Sequence, residues 1–538
     1  MAATAVSPAP KRGLSTAAFS LPSRLVAAFS GPVGLAAKIA LLSIVNAIAV
    51  WALIVLIDHD KWIAAAVLVA VTAAIDVIYF LPRAVPAKFL LPGTFFLLCF
   101  QVVPVLYTVD IAFTNWSTGH LLVKSEAIDG IKRASLEQSE NGKSYTMAPA
   151  RDENGDLVLL LVDEDTGKQY VGSKDGLKPL PAGSLEESGG IFTKTPAGYK
   201  LILGQALVGL DKELSAFTVP TTGDNAIRAE GLSNAVVLHP TLRYDSAQDR
   251  FARIADGAVF TDNGRGSYVH GKEELEPGWR TNVGFTNFSR VFNNKLIRDP
   301  FIRVLIWTFV FAGATVFLSF ALGLLLAITL SKDGMRFRSV YRSVLVLPYA
   351  IPGFLSLLVW GGLLNDDFGV VNRLLGHIGL HVPWLFEPNW ARISVIIVST
   401  WLTFPYFFLV SLGALAAIPG ELVEAARVDG AGRWQVFRKV TLPLLLVAVA
   451  PLMIASFAFN FNNFGNVYFL TGGGPATNDQ SVAGATDILI SYTYKIAFAS
   501  GKGQDFGLAS TISIFIFLIV ATISAIAFSR TKALENVA

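Results

Sequence analysis

Long uninterrupted apolar runs are the feature that most constrains the fold of this chain. Since an α-helix rises about 1.5 Å per residue, roughly 20 apolar residues are needed to cross a hydrocarbon layer of about 30 Å. Eight runs reach that length, at residues 39–57, 62–81, 89–113, 301–330, 344–364, 393–418, 444–470 and 507–528. Charged residues make up only 15% of the chain, against about a quarter in soluble domains. The sequence therefore predicts an α-helical polytopic membrane protein with about eight transmembrane helices.

The placement of Lys and Arg predicts an orientation. If the N-terminus lies inside, the short inner segments hold sixteen Lys and Arg and the short outer segments hold five. Basic residues accumulate on the cytoplasmic side of membrane proteins. We therefore expect both termini in the cytoplasm, and the long segment between the third and fourth runs outside it.

That segment, residues 114–299, differs from the rest of the chain in composition. It carries 21 Lys and Arg and 25 Asp and Glu, more than half of all charged residues. Short apolar pieces such as residues 157–162 alternate with turn signals such as Asn154-Gly155. This pattern indicates an inserted β-rich soluble domain. We expect three parts: an N-terminal tail with three helices at 1–113, the insert at 114–299, and a core of five helices at 300–538.

Several kinds of function are excluded by what the sequence lacks. The single cysteine, Cys99, permits no disulfide within the chain, and the six histidines show no metal-ligand spacing. A net charge of +3 does not suggest nucleic acid. Asn141-Gly142-Lys143-Ser144 resembles the end of a phosphate loop, but Glu137 stands where the earlier glycine is required. We predict no catalytic residue, no metal and no cofactor on this chain, so the energy for any pump must come from another polypeptide.

The predicted cytoplasmic loop at 418–443 has a helix–glycine–helix pattern. Pro419 suits a helix start, and Gly430 stands where a helix ends in a left-handed cap. Trp434, Phe437 and Val440 then recur at helical spacing before Pro443, where we expect the second short helix to end. From these residues alone, the loop is either a compact helical pair that meets a partner or an amphipathic connector on lipid headgroups.

This loop resembles the EAA loop of ABC-importer permeases, which docks as a coupling helix into a cleft of an ATPase subunit. The resemblance lies in Glu424-Ala425-Ala426, Asp429-Gly430-Ala431 and Leu442-Pro443. From about Gly284 onward the chain also resembles the larger permease subunit of maltose/maltodextrin importers, through residues 284–288, 347–352, 400–402, 459–463 and 503–508. The extra N-terminal helices and the insert fit that subfamily.

Two sets of residues inside the apolar runs are candidates for a sugar site. In the seventh run, Ser456, Phe459, Asn460 and Asn463 have the spacing of one helix face, and such polar groups need partners in hydrocarbon. They either join helices by hydrogen bonds or bind a neutral sugar through amides, a hydroxyl and an aromatic face. The resemblance favours the sugar, because the matching positions in the maltose family line the site midway across the membrane.

The sixth run supplies the second set, Trp401, Leu402, Thr403 and Tyr406, around a proline that permits a kink. The family usually has glycine where Thr403 stands, which places the length preference for the sugar in doubt.

The resemblance implies a bacterial inner-membrane subunit that works with other proteins. They are a second related permease, two ATPase subunits that bind ATP and Mg²⁺, and a periplasmic protein that delivers maltose or maltodextrin. Alternatives are an importer for another oligosaccharide such as trehalose, an ion-driven secondary transporter and a sensor. Asp76, the one acid well inside an apolar run, is a candidate for ion coupling. We expect its side chain to extend towards the cytoplasmic surface instead.

Overall fold

The computed structural model describes residues 32–81, 84–138, 143–188, 191–210, 213–214, 217–221, 225–331, 335–477, 481–498 and 503–535. The chain forms two compact units, residues 1–106 and residues 107–538.

Most predicted membrane spans are confirmed as long apolar helices. Seven described helices are long and apolar enough to cross a membrane, and one bent helix pair raises the number to eight if it counts as a single span. In chain order the first helices are α1 (Pro32–Asp58), α2 (Trp62–Phe80), α3 (Val85–Leu97) and α4 (Val103–Ala112). A π-helical turn, Leu98–Val102, joins α3 to α4, so that residues 85–112 form one continuous helix.

The predicted insert is confirmed as β-rich, with one short helix before the strands and another among them. Sixteen described strands lie between residues 136 and 275, and α5 (Lys124–Ala134) precedes them. The strands are β1 (Leu136–Gln138), β2 (Ser144–Arg151), β3 (Leu157–Asp163), β4 (Gln169–Ser173), β5 (Gly176–Pro179), β6 (Glu186–Ser188), β7 (Ile191–Lys194), β8 (Lys200–Leu201), β9 (Thr218–Pro220), β10 (Ala226–Glu230), β11 (Asn234–Pro240), β12 (Leu242–Asp245), β13 (Arg250–Arg253), β14 (Val259–Asp262), β15 (Tyr268–His270) and β16 (Glu273–Leu275); α6 (Gln205–Val208) lies between β8 and β9.

The strands form antiparallel sheets with separate cores. A nine-stranded sheet has the order β5-β4-β3-β2-β11-β10-β9, with β1 paired to β11 and β8 paired to β2. Its strand β3 is buried on both faces, because Leu159 and Leu161 pack into one apolar cluster and Leu160 into another. This double burial explains why β3 reads as a continuous apolar run. The second sheet is a five-stranded meander, β12 to β16, and β6 pairs with β7.

Helix α5 is fastened to the five-stranded sheet by charge. Lys124 Nζ donates to Asp249 Oδ2 at 2.5 Å and to Asp262 Oδ2 at 2.6 Å. The hydroxyls of Tyr244 and Tyr268 donate to the other oxygen of Asp249. Three donors therefore converge on one carboxylate at the edge of this sheet.

The remaining helices follow the last strand, and the first of them, within the range 114–299 that we expected for the insert, packs against the core through Val291. They are α7 (Thr286–Asn293), α8 (Lys295–Leu330), α9 (Arg338–Ala350), α10 (Gly353–Leu363), α11 (Val370–Gly376), α12 (Pro388–Ala417), α13 (Gly420–Val428), α14 (Arg433–Val436), α15 (Leu442–Phe461), α16 (Phe464–Thr471), α17 (Leu489–Phe498) and α18 (Phe506–Glu535). Helices α8 and α12 approach closely at Gly323, where a Cβ would lie 2.7 Å from the main-chain nitrogen of Phe408. The absence of a side chain at this glycine is what permits the contact.

Two predicted spans are each divided into two helices. The fifth run is divided into α9 and α10, which are bent by 93°. Pro352 drives its predecessor Ile351 into an extended conformation (φ −87°, ψ 135°), so the helix stops there. The seventh run ends at Phe461, and α16 begins two residues after Asn462. There the side chain of Asn463 accepts from the main-chain nitrogen of Asn466 at 3.3 Å and caps the new helix.

The short segment after the insert is tied to the core by hydrogen bonds. Asn287, at the start of α7, is buried and donates to the main-chain oxygens of Ala112 at 3.0 Å and Thr114 at 2.8 Å. Arg290 forms an ion pair with Asp505 at 2.8 Å. The two chain segments that lead into and out of the insert are thereby held beside the start of α18.

Candidate functional site

The candidate residues of the sixth run lie on α12, which continues through Pro405 as one helix. Trp401, Leu402, Thr403 and Tyr406 are all half-buried. The ring of Trp401 lies 5.6 Å from the ring of Trp360, edge to face. Because Pro405 has no N–H, the main-chain oxygen of Trp401 lacks its usual helical donor. This part of α12 therefore presents an aromatic ring, a hydroxyl and a backbone acceptor within two turns.

The candidate residues of the seventh run do not share one helix face, and that prediction is wrong. Ser456, Phe459 and Asn460 lie on α15, whereas Asn463 lies beyond its end and caps α16. Ser456 and Asn460 are buried, 9% and 0% exposed, while Phe459 is 68% exposed. The sequence spacing assumed one continuous helix. The helix ends before Asn463 because an asparagine side chain can hydrogen-bond to the backbone in place of a helical hydrogen bond.

Asn460 uses only one of its two polar side-chain atoms in a hydrogen bond among the described residues. Its Nδ2 donates to the main-chain oxygen of Ser456 at 2.8 Å, one turn earlier. Its Oδ1 is buried and has no hydrogen-bond partner among the described residues. A buried acceptor without a donor costs about 1–3 kcal/mol, so such atoms are rare and need an explanation. A hydroxyl group of a ligand is a donor of the right kind.

A polar contact that the sequence patterns did not single out connects α12 to α16, the helix that follows α15. Asn466 Nδ2 donates to Ser399 Oγ at 3.0 Å, and both residues are buried. Ser399 lies two residues before Trp401, and Asn466 lies three residues after Asn463. The signal that could have revealed it is the continuation of the asparagine series 460, 462, 463 and 466 through the apolar run.

The loop between α16 and α17 holds a second buried polar cluster that the sequence analysis missed. Asp487 is fully buried and accepts from Lys495 Nζ at 2.6 Å, Ser491 Oγ at 2.7 Å and the main-chain nitrogen of Gly484 at 2.7 Å. Gly473 has a φ of +81°, and a Cβ there would collide with the Asp487 carboxylate. The available signal was the Gly472-Gly473-Gly474-Pro475 run, with Asp487 twelve residues after Pro475 at the start of an apolar stretch.

The helix–glycine geometry of the predicted loop is confirmed. Glu424, Ala425 and Ala426 lie on α13, whose last turn is followed by Asp429 and by Gly430 at a φ of +82°. The main-chain nitrogen of Ala431 donates to the main-chain oxygen of Ala426 at 3.0 Å, which closes the left-handed cap.

The expected end of the second short helix at Pro443 is wrong. Helix α14 runs through a π-helical turn, Phe437–Thr441, directly into α15, and residues 433–461 form one long helix. Pro443 is tolerated because it occupies the first turn of α15, where the π-helical turn has already displaced the usual hydrogen bonds.

The surface of this loop is apolar as well as charged. Val428 is 87% exposed and Trp434 is 68% exposed, and Glu424 and Asp429 are exposed beside them. Exposed large apolar side chains grouped on one rigid turn are typical of a surface that a partner covers.

Asp76 does not extend to the surface as we expected. It is half-buried on α2 and accepts a hydrogen bond from Asn46 Nδ2 of α1 at 3.1 Å. The donor on the adjacent helix gives the carboxylate a polar partner between two apolar helices. This acid therefore joins two helices.

Comparison with known proteins places the chain among importer subunits. The family described as "Binding-protein-dependent transport system inner membrane component" matches residues 319–536, and "N-terminal of TM subunit in PBP-dependent ABC transporters" matches residues 95–175. The maltose/maltodextrin transport system permease protein MalF of Escherichia coli (strain K12) is 37% identical over 84% of this chain and 88% of its own length. MalF of Vibrio cholerae is 35% identical over 83% of this chain and 85% of its own.

Among solved structures, a bacterial ABC transporter involved in import of the acidic polysaccharide alginate aligns with 46% of this chain and 84% of its own. Its sequence identity is 25% and its TM-score 0.41.

Proposed function

Because this chain belongs to the MalF family of maltose/maltodextrin transport permeases, we propose that it forms, with a second related permease, the sugar pathway of an ATP-driven, binding-protein-dependent importer. The observation that carries this proposal is the extent of the similarity, which covers more than four fifths of the chain and so includes both membrane helices and insert. The chain is a polytopic inner-membrane protein, and its substrate class is maltose and maltodextrins.

The sugar path is proposed to run past α12 and α15. Maltose is neutral, so its hydroxyls require amide, hydroxyl and carbonyl partners, and no charged side chain is needed. The unpartnered Oδ1 of Asn460 suits a sugar hydroxyl as donor, and the exposed ring of Phe459 suits the C–H face of a pyranose. Ser456, Asn463, Trp401, Leu402, Thr403 and Tyr406 complete the proposed lining.

The coupling role is assigned to α13 and its glycine cap. Each of two ATPase subunits, which hold ATP and Mg²⁺, needs a rigid projection in its cleft, and this chain supplies one through Glu424, Ala425, Ala426, Asp429, Gly430 and Ala431. Helix α14 continues without a break into α15. Movement of the loop is therefore passed as rigid-body motion to the helix that carries Asn460.

The proposed orientation places both termini in the cytoplasm and the insert in the periplasm. Sixteen Lys and Arg on the inner side against five on the outer side support it. In that position the insert meets a periplasmic sugar-binding protein before the sugar enters the membrane. An ion-driven transporter is the less supported reading, since Asp76 is already engaged by Asn46.

Transport by the purified complex in sealed vesicles tests the proposal. We expect uptake of labelled maltose that requires ATP and the binding protein and that vanadate abolishes. Unlabelled maltotriose should compete, whereas trehalose should not. Uptake driven by an ion gradient without ATP would contradict the importer assignment, and competition by trehalose alone would contradict the substrate class.

A further inference from the structure

The N-terminal unit contains a cavity that transport does not explain. Helices α1, α2 and α3 line a partly open space of about 660 Å³. Its walls are almost wholly apolar, with Leu41, Val45, Ile75, Phe95 and Phe96 among them. A space of this size and lining suits hydrocarbon and not a sugar, which would leave its hydroxyls without partners.

Two lysines line the same cavity at one end. Lys38 lies seven residues into α1, and Lys88 lies in the first turn of α3. Both are half-buried. Lys38 Nζ lies 4.7 Å from the centre of the Phe80 ring, and Tyr79, whose hydroxyl donates to the main-chain oxygen of Lys88, also lines the cavity there. The cavity is therefore amphipathic along its length.

These lysines have no carboxylate to pair with inside the unit. Residues 1–106 contain only three acids, Asp58, Asp60 and Asp76. Asp58 and Asp60 lie at the opposite ends of α1 and α2, and Asp76 accepts its hydrogen bond from Asn46. Among the described residues neither lysine forms an ion pair, and in the sequence Arg83 lies five residues before Lys88. A ligand with a negative charge would supply the partner that the acids of this unit do not.

The distance between the two lysines and the far apolar wall of the cavity matches the dimensions of a phospholipid. Phe96 lies eight residues beyond Lys88, and Val45 lies seven beyond Lys38, so the apolar walls reach about 10–12 Å below the lysines. Lysines at the helix ends lie at headgroup level, and anionic lipids concentrate in the cytoplasmic leaflet. We propose that this cavity binds one anionic phospholipid, with its phosphate between Lys38 and Lys88 and an acyl chain against Leu41, Val45 and Phe95.

Native mass spectrometry of the intact complex from nanodiscs tests this inference. Nanodiscs that contain equal amounts of phosphatidylglycerol and phosphatidylcholine should yield complex with retained phosphatidylglycerol. At about tenfold in affinity for every 1.4 kcal/mol, and about 1 kcal/mol per lysine, K38Q/K88Q should retain about thirtyfold less. Lys61→Gln is the matched control, because this exposed lysine precedes α2 at its opposite end. K38R/K88R, which keeps both charges, should retain the lipid.

Each contrary result has its own meaning. Equal retention of the two lipids, or unchanged retention in K38Q/K88Q, would overturn the anion site. Complex that retains inorganic phosphate at millimolar concentration and no phosphatidylglycerol would show that the site takes a free anion and not a lipid headgroup. Retention by the isolated chain but not by the complex would mean that a helix of the second permease fills the cavity. Any of these four outcomes rejects the proposal, and none bears on whether the complex transports maltose.

Discussion

Asn460 donates its side-chain amide to the main-chain oxygen of Ser456 at 2.8 Å, while its own carbonyl oxygen lies buried with no partner among the described residues. A side chain that served only to join helices would use both of its polar atoms. Here one atom is satisfied within the helix and the other is left for a further donor. The unpartnered carbonyl oxygen is the reason for proposing that a sugar hydroxyl binds beside α15.

Replacement of Asn460 by Leu should reduce maltose uptake about tenfold to hundredfold. The change removes a partner from a buried polar ligand, at about 1–3 kcal/mol, and Leu is close to Asn in size. Asn462→Leu is the matched control, since Asn462 also donates to the carbonyl one turn earlier, Ala458, but is not in the proposed site. Flux and the amount of assembled complex are measured together. If lost assembly accounts for all of the lost flux, Asn460 joins helices and does not bind sugar.

Replacement of Phe459 by Ala should lower uptake roughly tenfold without loss of chain stability. The ring is 68% exposed, so its removal costs little packing in this chain, whereas stacking on a sugar face would be lost. Phe517→Ala removes a similarly exposed ring, 63% exposed, from α18 and should leave uptake unchanged. Thermal unfolding of both variants checks stability. Equal effects of the two substitutions on uptake would argue against a sugar contact at Phe459.

Replacement of Gly430 by Val should uncouple ATP hydrolysis from transport. The φ of +82° costs a side-chain-bearing residue about 1–2 kcal/mol, and more for a β-branched one, so the cap of α13 should rearrange. A Cβ at this position meets no other atom within 4 Å, so the strain is confined to the backbone. Gly432→Val is the control, because Gly432 has an ordinary φ of −67°. Membrane insertion should be normal in both variants, with ATPase stimulation by the loaded binding protein lost only in the first.

Deletion of residues 125–278 should impair capture of the binding protein without preventing membrane insertion. The deletion joins two neighbouring points, because Leu122 bridges to Trp279 and the main-chain nitrogen of Arg280 donates to the oxygen of Leu122 at 2.8 Å. The insert is expected to raise the local concentration of the binding protein. Uptake should therefore fall at low binding-protein concentration and recover at saturation. Unchanged uptake at low concentration would assign the insert to stability alone.

Acid should loosen the five-stranded sheet through Asp249. The hydrogen bond from Lys124, with those from Tyr268 and Tyr244, lowers the pKa of this carboxyl to about 2, against about 3.9 in an unfolded chain. A lowered folded-state pKa contributes stability above about pH 4, and that contribution is lost as the pH falls from about 4 to about 2.

Hydrogen-exchange protection of residues 250–270, corrected for the intrinsic rate, should therefore decline over that interval. Asp249→Asn should already have reduced protection at pH 6 and show a flatter decline. Asp129→Asn, at an exposed acid of α5, should behave like the wild type. An unchanged profile in Asp249→Asn would mean that the Lys124 network does not stabilise the sheet.

The sequence by itself determined the parts of this protein that depend on local composition. Apolar runs of membrane length fold as helices because no other conformation satisfies the backbone without water. Short apolar pieces separated by Asn-Gly and Asp-rich turns form strands, as at β2 and β3. In the turn between these two strands, Asp152 Oδ1 accepts from the main-chain nitrogens of Asn154 and Asp156. Gly430 was identifiable because only glycine readily occupies a left-handed cap.

Tertiary structure decided the features that depend on which groups from other parts of the chain lie beside a given residue. The bend at Ile351-Pro352 and the cap at Asn463 end helices within apolar runs. One extended residue before a proline, or one side chain that caps a new helix, is enough to end a helix whatever the hydropathy of the run. Asp76 accepts a hydrogen bond from Asn46, which lies on another helix and thirty residues away in the chain. Asn460 is buried and Phe459 is exposed, and the sequence spacing could not predict this difference. The helical period gives the relative directions of two side chains, but it does not say which direction faces another helix.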